Sequence, residues 1–202
     1  MVLVYEVQNI YPKRVFEIFK VHKHIGRISD PNATGKSVVF ECGTYVVFEL
    51  LIERETRTIA KAGFRSNGCG FLIATAEIAC AECMGRCLTD LHGLKDLPQA
   101  IEDKLEGFPD ERLHCLHSVI DGLKNAFADF RRRQIEEFAG EKALICTCFG
   151  ISEESIEDAI KNNAAGTVER VGKVTNAGTG CGSCQLLIQE IIDSADATGQ
   201  TR

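Results

Sequence analysis

Ten cysteines stand among 202 residues, and four of them fall in two tight groups near the C-terminal end. ICTCFG puts Cys146 and Cys148 one residue apart, and TGCGSC puts Cys181 and Cys184 two apart after 32 intervening residues. Four thiolates gathered this way complete the coordination of a diiron cluster, two sulfurs to each iron. Structural zinc also takes four cysteines, usually as two C-x2-C knuckles, and the C-x-C pair is the less usual arrangement for it. Gly150, Gly178, Gly180 and Gly182 crowd these cysteines, as expected where backbone passes close to inorganic sulfide and donates N–H to sulfur. The segment from Gly182 can open a helix whose N-terminal dipole favours anionic ligands.

Three further cysteines are dispersed but share a type of setting. Cys42 is expected at a strand position, Cys69 in an Asn-Gly-Cys-Gly loop, and Cys115 beside His114 at a helix start. Backbone amides or a helix N-terminus at such places lower a thiol pKa, and only the thiolate binds metal. Three thiolates with one imidazole or oxygen would make an open four-coordinate site. Buried cysteines in a purely packing role are the competing reading. Cys80, Cys83 and Cys87 form C-x2-C-x3-C, yet with Ile73 and Ala76 they step by three and four along one helical stripe, so core packing is expected there.

Charge and length limit what else the chain can be. The formal charge of -6 and pI near 5.4 supply no basic surface for nucleic acid or an anionic membrane. Residues 1–140 hold 18 basic and 20 acidic residues, and 141–202 hold 5 and 9, so neither half is a basic domain. MVLVYEVQNI has no basic-then-apolar leader pattern, and no window approaches the length of a membrane span. These features predict a cytoplasmic protein whose thiols stay reduced, so ligation or redox chemistry outranks disulfides.

The elements that must carry the cysteines are partly readable. Pro12 to His24 predicts a short amphipathic helix, followed by a loop through SDPNATG. Alternation from Val38 to Ile52 predicts one strand with a buried face that puts Cys42 and Thr44 on one side. An antiparallel partner should follow ERETR and end in the glycine-rich FRSNGCG. Helical periodicity covers Phe71 to Cys87 and Leu113 to Phe138, with Gly140 as a C-terminal stop. Beyond it, short helices are expected near 152–163, 167–175 and 183–194. Thr34-Gly35-Lys36-Ser37 looks like the end of a phosphate-binding loop, but Asp30 replaces the required glycine and a strand follows, so a nucleotide site is not expected. Arg131, Arg132 and Arg133 read as a solvated turn near a helix end, and His22, His24, His92 and His117 have no partner pattern.

At this point a family resemblance becomes specific. CTCFGISEESIEDAI and GTVERVGKVTNAGTGCGSC resemble the central domain of NifU proteins and the bacterioferritin-associated ferredoxin (BFD) domain. The resemblance assigns a permanent [2Fe-2S] cluster to Cys146, Cys148, Cys181 and Cys184. YPKRVFEIFKVHKHIGRI, DPNATGKS, ECGT, NGCG and RLHC resemble, in order and separation, the IscU-type scaffold domain that begins NifU. The family implies that Cys42, Cys69 and Cys115, with His114 as an added candidate, take sulfur from a cysteine desulfurase, bind iron, build a labile cluster and pass it to apo iron-sulfur proteins. It also implies a homodimer and a scaffold that is not an enzyme.

The implied fold is α+β: an IscU/NifU-type scaffold domain with a small antiparallel sheet and packed helices over 1–140, a small mainly helical [2Fe-2S] domain over 141–195, and a flexible tail over 196–202. Three departures from the family stand out. The aspartate two residues beyond the first scaffold cysteine, which helps such sites release their cluster, is Thr44 here. A neutral hydroxyl predicts slower release. FPDER replaces the Leu-Pro-Pro-Val-Lys run that a chaperone recognises before the third cysteine, so dependence on that chaperone is not expected. NifU proteins continue into another C-x2-C scaffold domain that the sequence to Arg202 lacks, so any second assembly site is expected elsewhere or not at all. The competing function is a [2Fe-2S] electron-transfer adaptor with a degenerate scaffold domain.

Overall fold

A computed structural model describes residues 11–21, 23–40, 42–91, 94–140 and 142–197. The expectations for the N-terminal decapeptide, His22 and His92 lie outside these residues. The chain divides into two compact units, Met1–Cys87 with Leu94–Asp129, and Leu88–Gly93 with Phe130–Arg202.

In the first unit, helix α1 (Lys13–Phe19) precedes strands β1 (Ala33–Val39), β2 (Thr44–Ile52) and β3 (Ile59–Ser66), which form an antiparallel sheet in the order β1-β2-β3. Helices α2 (Gly70–Cys83) and α3 (Leu97–Leu105) follow, and a 3-10 turn at Asp110–Arg112 leads into α4 (Leu113–Glu137), whose residues from Phe130 onward are assigned to the second unit. The mixture of helices with a small antiparallel sheet is the expected α+β class.

Along β2, Val46, Phe48, Leu50 and Ile52 are all buried on one face, and on the other face Glu49 is buried as well, paired with Arg65. Earlier in the predicted strand the alternation misleads. Phe40, Cys42 and Gly43 are turn residues between β1 and β2, with Gly43 at φ +65° and Val39 paired to Thr44. Val38 and Phe40 are 49% and 89% exposed. Cys42 is thus a turn residue rather than a strand residue. The loop predicted through SDPNATG also gives way from Ala33, because β1 pairs with β2 from Ala33↔Leu50 onward; cross-strand pairing overrides local turn chemistry there. Gly35 lies in this strand, not in a phosphate loop.

α2 buries eleven of its fourteen residues, including Leu72, Ala76, Ile78, Cys80 and Cys83, as a helix apolar on every face must. It stops at Cys83, where Met84 is extended and Gly85 adopts φ +77°. Cys87 therefore leaves the expected stripe; it bridges Thr58 and its thiol donates to the Thr56 carbonyl. α4 buries Leu116, Val119, Ile120, Leu123, Ala126 and Phe130, close to the predicted stripe. Gly140 lies three residues past its end, too far to act as its stop.

In the second unit, β4 (Leu144–Cys146) pairs antiparallel with β5 (Ile151–Ser152), followed by α5 (Glu153–Asn163), α6 (Val168–Thr175) and α7 (Gln185–Ala197). Ser152 and Thr167 cap α5 and α6 by accepting from the amides of Ser155 and Arg170. Ile156, Ile160, Val171, Ile188 and Ile192 are buried and form the small core. Asp196 and Ala197 belong to α7, and the rest of the expected tail lies outside the described residues.

Candidate metal centres

In the first unit, three elements bring the dispersed thiols forward. Cys42 is exposed in the β1–β2 turn, with its Sγ 3.0 Å from Thr44 Oγ1. Cys69 sits at the N-cap of α2 in extended conformation, where the amides of Phe71 and Leu72 point at its sulfur. Cys115 is buried one residue past His114 in the first turn of α4, and its Sγ lies 3.8 Å from that of Cys69.

The electrostatics of this pair are lopsided. The Cys115 thiol donates to Cys69, and this hydrogen bond, opposed by burial but helped by the two helix amides and Arg112, draws the Cys69 pKa down to about 5. The same hydrogen bond, then burial and the neighbouring charges of Cys69 and Cys42, pushes Cys115 far up. The pair thus holds one proton, with the thiolate on Cys69. Cys42 lies close enough to add the smallest contribution to the upward push on Cys115. His114 is half-buried and next to Cys115 in sequence, and the structure gives it no closer tie to the thiols than that.

In the second unit, the four clustered cysteines pair across their two motifs rather than within them. The Cys148 thiol donates to Cys181 at 3.4 Å. Cys184 donates to Cys146, which together with the amides of Gly178, Phe149 and Cys148 outweighs burial and draws Cys146 down to about 6. Cys184 is pushed far up as the donor of that bond and by burial. Burial lifts Cys148 to about 12. At Cys181 burial also acts upward, but the hydroxyl and amide of Ser183, the Cys148 thiol and the charge of Arg131 outweigh it, and its pKa is lowered.

The loop geometry explains the glycines. Gly178 and Gly182 have φ +82° and +75°, values that side chains rarely tolerate. A Cβ on Gly180 would lie 3.1 Å from the Phe149 ring and 3.5 Å from Cys148 Sγ. The Gln185 side chain ties the loop down by donating to the Gly178 carbonyl at 2.9 Å.

Among the described residues, no three His, Cys, Asp or Glu side chains already converge on one point as a bound ion requires. The donor chemistry nonetheless fits a four-thiolate cluster. Two close thiol pairs, backbone amides aimed at sulfur and glycines where side chains would intrude are what such a group needs.

The sequence reading missed two contributors to these centres, Ser183 and Arg131, and it named Thr44 as a departure from the family aspartate without its contact to Cys42. The hydroxyls of Thr44 and Ser183 each stand two residues past a cysteine and 3.0 Å from its sulfur. Their common C-x-hydroxyl spacing was a usable signal. Arg131, read as part of a solvated turn, acts on Cys181.

Residues 10–137 match the family described as the NifU-like N terminal domain, and residues 144–194 match the BFD-like [2Fe-2S] binding domain. Nitrogen fixation protein NifU of Azotobacter chroococcum is 32% identical over 90% of the chain and 58% of its own length. The NifU of Trichormus azollae is 30% identical over 90% of the chain and 63% of its length. The chain therefore spans about three-fifths of the NifU relatives it matches. Iron-sulfur cluster assembly scaffold protein IscU 1 of Archaeoglobus fulgidus is 27% identical over 67% of the chain and 89% of its length. The crystal structure of a NifU-like protein (N-terminal) from Brucella abortus superposes with a TM-score of 0.51 at 19% identity, covering 66% of this chain and 99% of that one, and shows the shared fold. The chain thus belongs to the NifU-like family, with a NifU-like N-terminal domain followed by a BFD-like [2Fe-2S] binding domain.

Proposed function

We propose that this protein assembles iron-sulfur clusters and hands them to apoproteins, while holding a permanent [2Fe-2S] cluster in its second domain. The observation that carries the reading is the presence of two separate thiol centres of different character. Cys146, Cys148, Cys181 and Cys184 form paired, largely buried donors on a glycine-shaped loop, the setting of a resident cluster. Cys42, Cys69 and Cys115 form a looser centre with an exposed member and a ready thiolate, suited to cargo that must enter and leave. His114 is the candidate fourth ligand of that centre.

The scaffold domain is assigned to about 1–140 and the [2Fe-2S] domain to about 141–195. Its chemistry is stepwise ligation of iron and sulfide rather than turnover of a small substrate. A cysteine desulfurase would supply sulfur, apo iron-sulfur proteins would receive clusters, and the working form is a homodimer. No helix among the described residues is long and apolar enough to cross a membrane, and the cytoplasm is the proposed compartment. Thr44 beside Cys42 favours a second reading, in which the first domain is a degenerate scaffold and the protein is an electron-transfer adaptor.

Anaerobic reconstitution with iron, cysteine and a desulfurase decides between them. About four irons per chain mean a working scaffold beside the resident cluster, and about two mean the resident cluster alone. Zinc in place of iron in the purified protein would overturn both readings.

A further inference from the structure

We propose that Ser183 tunes the reduction potential of the C-terminal cluster, by donating its hydroxyl hydrogen to the Cys181 sulfur on the solvent side of the site. This rests on the reading that Cys146, Cys148, Cys181 and Cys184 hold a [2Fe-2S] cluster.

The four sulfurs are not equivalent. Cys146, Cys148 and Cys184 are 2%, 5% and 5% exposed, whereas Cys181 is exposed. Ser183 Oγ lies 3.0 Å from Cys181 Sγ, and its backbone N–H also points at that sulfur. Gly182, at φ +75° between them, folds the chain back so that a residue two positions on can reach the sulfur with both donors.

Either atom could donate between a free thiol and a hydroxyl. A sulfur bonded to iron has lost its proton, so the hydroxyl must be the donor. Thr44 and Cys42 repeat the contact at 3.0 Å in the other unit, so a hydroxyl at this spacing reaches sulfur in two different loop settings.

The consequence is directional. Reduction adds one electron to the cluster and raises the negative charge on its sulfur ligands. A hydrogen bond to a ligand sulfur stabilises that added charge, so it raises the potential. The Ser183 hydroxyl is thus the side-chain donor that this loop supplies to a cluster sulfur. Backbone amides also reach Cys146, but Cys181 is the exposed ligand, and there the chain adds a side-chain hydroxyl to the amide.

The test uses the full chain carrying Cys69→Ser, so that the scaffold centre does not contribute signal. Iron and sulfide are counted, and the potential is measured by redox titration followed by electron paramagnetic resonance of the reduced cluster. Ser183→Ala and Ser183→Gly, both lacking the hydroxyl, should load iron as the parent does and show a lower potential. Ser183→Thr should restore it. Equal potentials in the parent and in either fully loaded hydroxyl-free variant would overturn the proposal. A parent chain with no [2Fe-2S] signal would instead overturn the cluster assignment on which the proposal rests, a different and separable failure.

Discussion

The sulfurs of Cys69 and Cys115 meet at 3.8 Å although they lie 46 positions apart in the chain. One is a capping position of α2 and the other lies in the first turn of α4, so the contact joins the N-terminal ends of two helices. Both ends offer amides and a positive dipole to anions. The pair uses this by keeping one proton on Cys115 and a negative charge on Cys69.

This predicts unequal thiol reactivity in the metal-free protein. A thiol with its pKa lowered to about 5 remains a thiolate as pH falls, until the medium approaches that value. Alkylation of Cys69 should stay nearly constant from about pH 8 to about pH 6, where an ordinary cysteine slows roughly in step with its thiolate fraction. Cys115, protonated throughout and buried, should stay unlabelled. Cys115→Ala removes the strongest cause of the shift and should move the Cys69 profile upward. Mass spectrometry of labelled peptides reads both sites, and an unmoved Cys69 profile would refute the coupling.

Thr44 gives the second prediction. Its hydroxyl lies against Cys42 and can donate to a bound thiolate, but it offers iron a poorer oxygen than the carboxylate of the related scaffolds. Cluster transfer from the reconstituted scaffold to an apo-acceptor should quicken in Thr44→Asp by roughly tenfold, corresponding to ~1.4 kcal/mol in the barrier. Transfer followed by acceptor activity or circular dichroism checks it, and equal rates would sink the idea.

These residues also mark how far the sequence could be read. Cysteine type and spacing singled out Cys146, Cys148, Cys181 and Cys184 as one ligand group, because ligand chemistry demands particular atoms wherever the fold places them, whereas Cys42, Cys69 and Cys115 became candidates through the family resemblance and not through their spacing. The long stripe of α4 and the alternation from Val46 to Ile52 were readable because each reports one buried face. The β1–β2 turn was not, since Val38 and Phe40 keep the apolar alternation while standing in solvent. Periodicity records side-chain type, not burial. Cys87 failed for a related reason, as the stripe ran on in sequence past the break at Gly85. The cross-motif pairing of Cys146 with Cys184 and of Cys148 with Cys181 depends on how two loops meet, and spacing within one loop carries no trace of that.

Cys80 and Cys83 supply the third prediction. Both are fully buried on α2, and burial raises Cys80 far above the ordinary thiol range and Cys83 to about 12. Neutral, enclosed thiols are packing atoms rather than ligands. Cys80→Ala and Cys83→Ala should leave iron and sulfide per chain unchanged while each lowers unfolding stability by roughly 1 kcal/mol. Loss of iron in either variant, with the fold intact by circular dichroism, would give these cysteines a place in the metal chemistry.

Gly35 yields the last prediction, because it joins the stability of the first unit to its thiol centre. A Cβ at this position would lie 2.1 Å from the Ala126 amide nitrogen and 2.2 Å from the Gly122 carbonyl oxygen of α4. Both are backbone atoms held in a helix, so neither can swing aside as a side-chain tip would. β1 would have to draw away from α4, straining the bonds from Thr34 N to Asp129 at 2.9 Å and from Asn125 to the Lys36 carbonyl at 2.9 Å. Gly35→Ala should therefore cost about 3 kcal/mol, at the upper end for overpacking, measured by urea unfolding. Gly166→Ala, at a glycine with open space and no positive φ, should change stability by less than about 0.5 kcal/mol. β1 leads into the turn that carries Cys42, and α4 carries Cys115. The strained variant should accordingly load less iron at the scaffold centre while keeping the C-terminal cluster, visible as a drop from about four irons per chain toward about two. Full loading at both centres, alongside the expected loss of stability, would show that the approach of β1 to α4 serves the fold without setting the distance between Cys42 and Cys115.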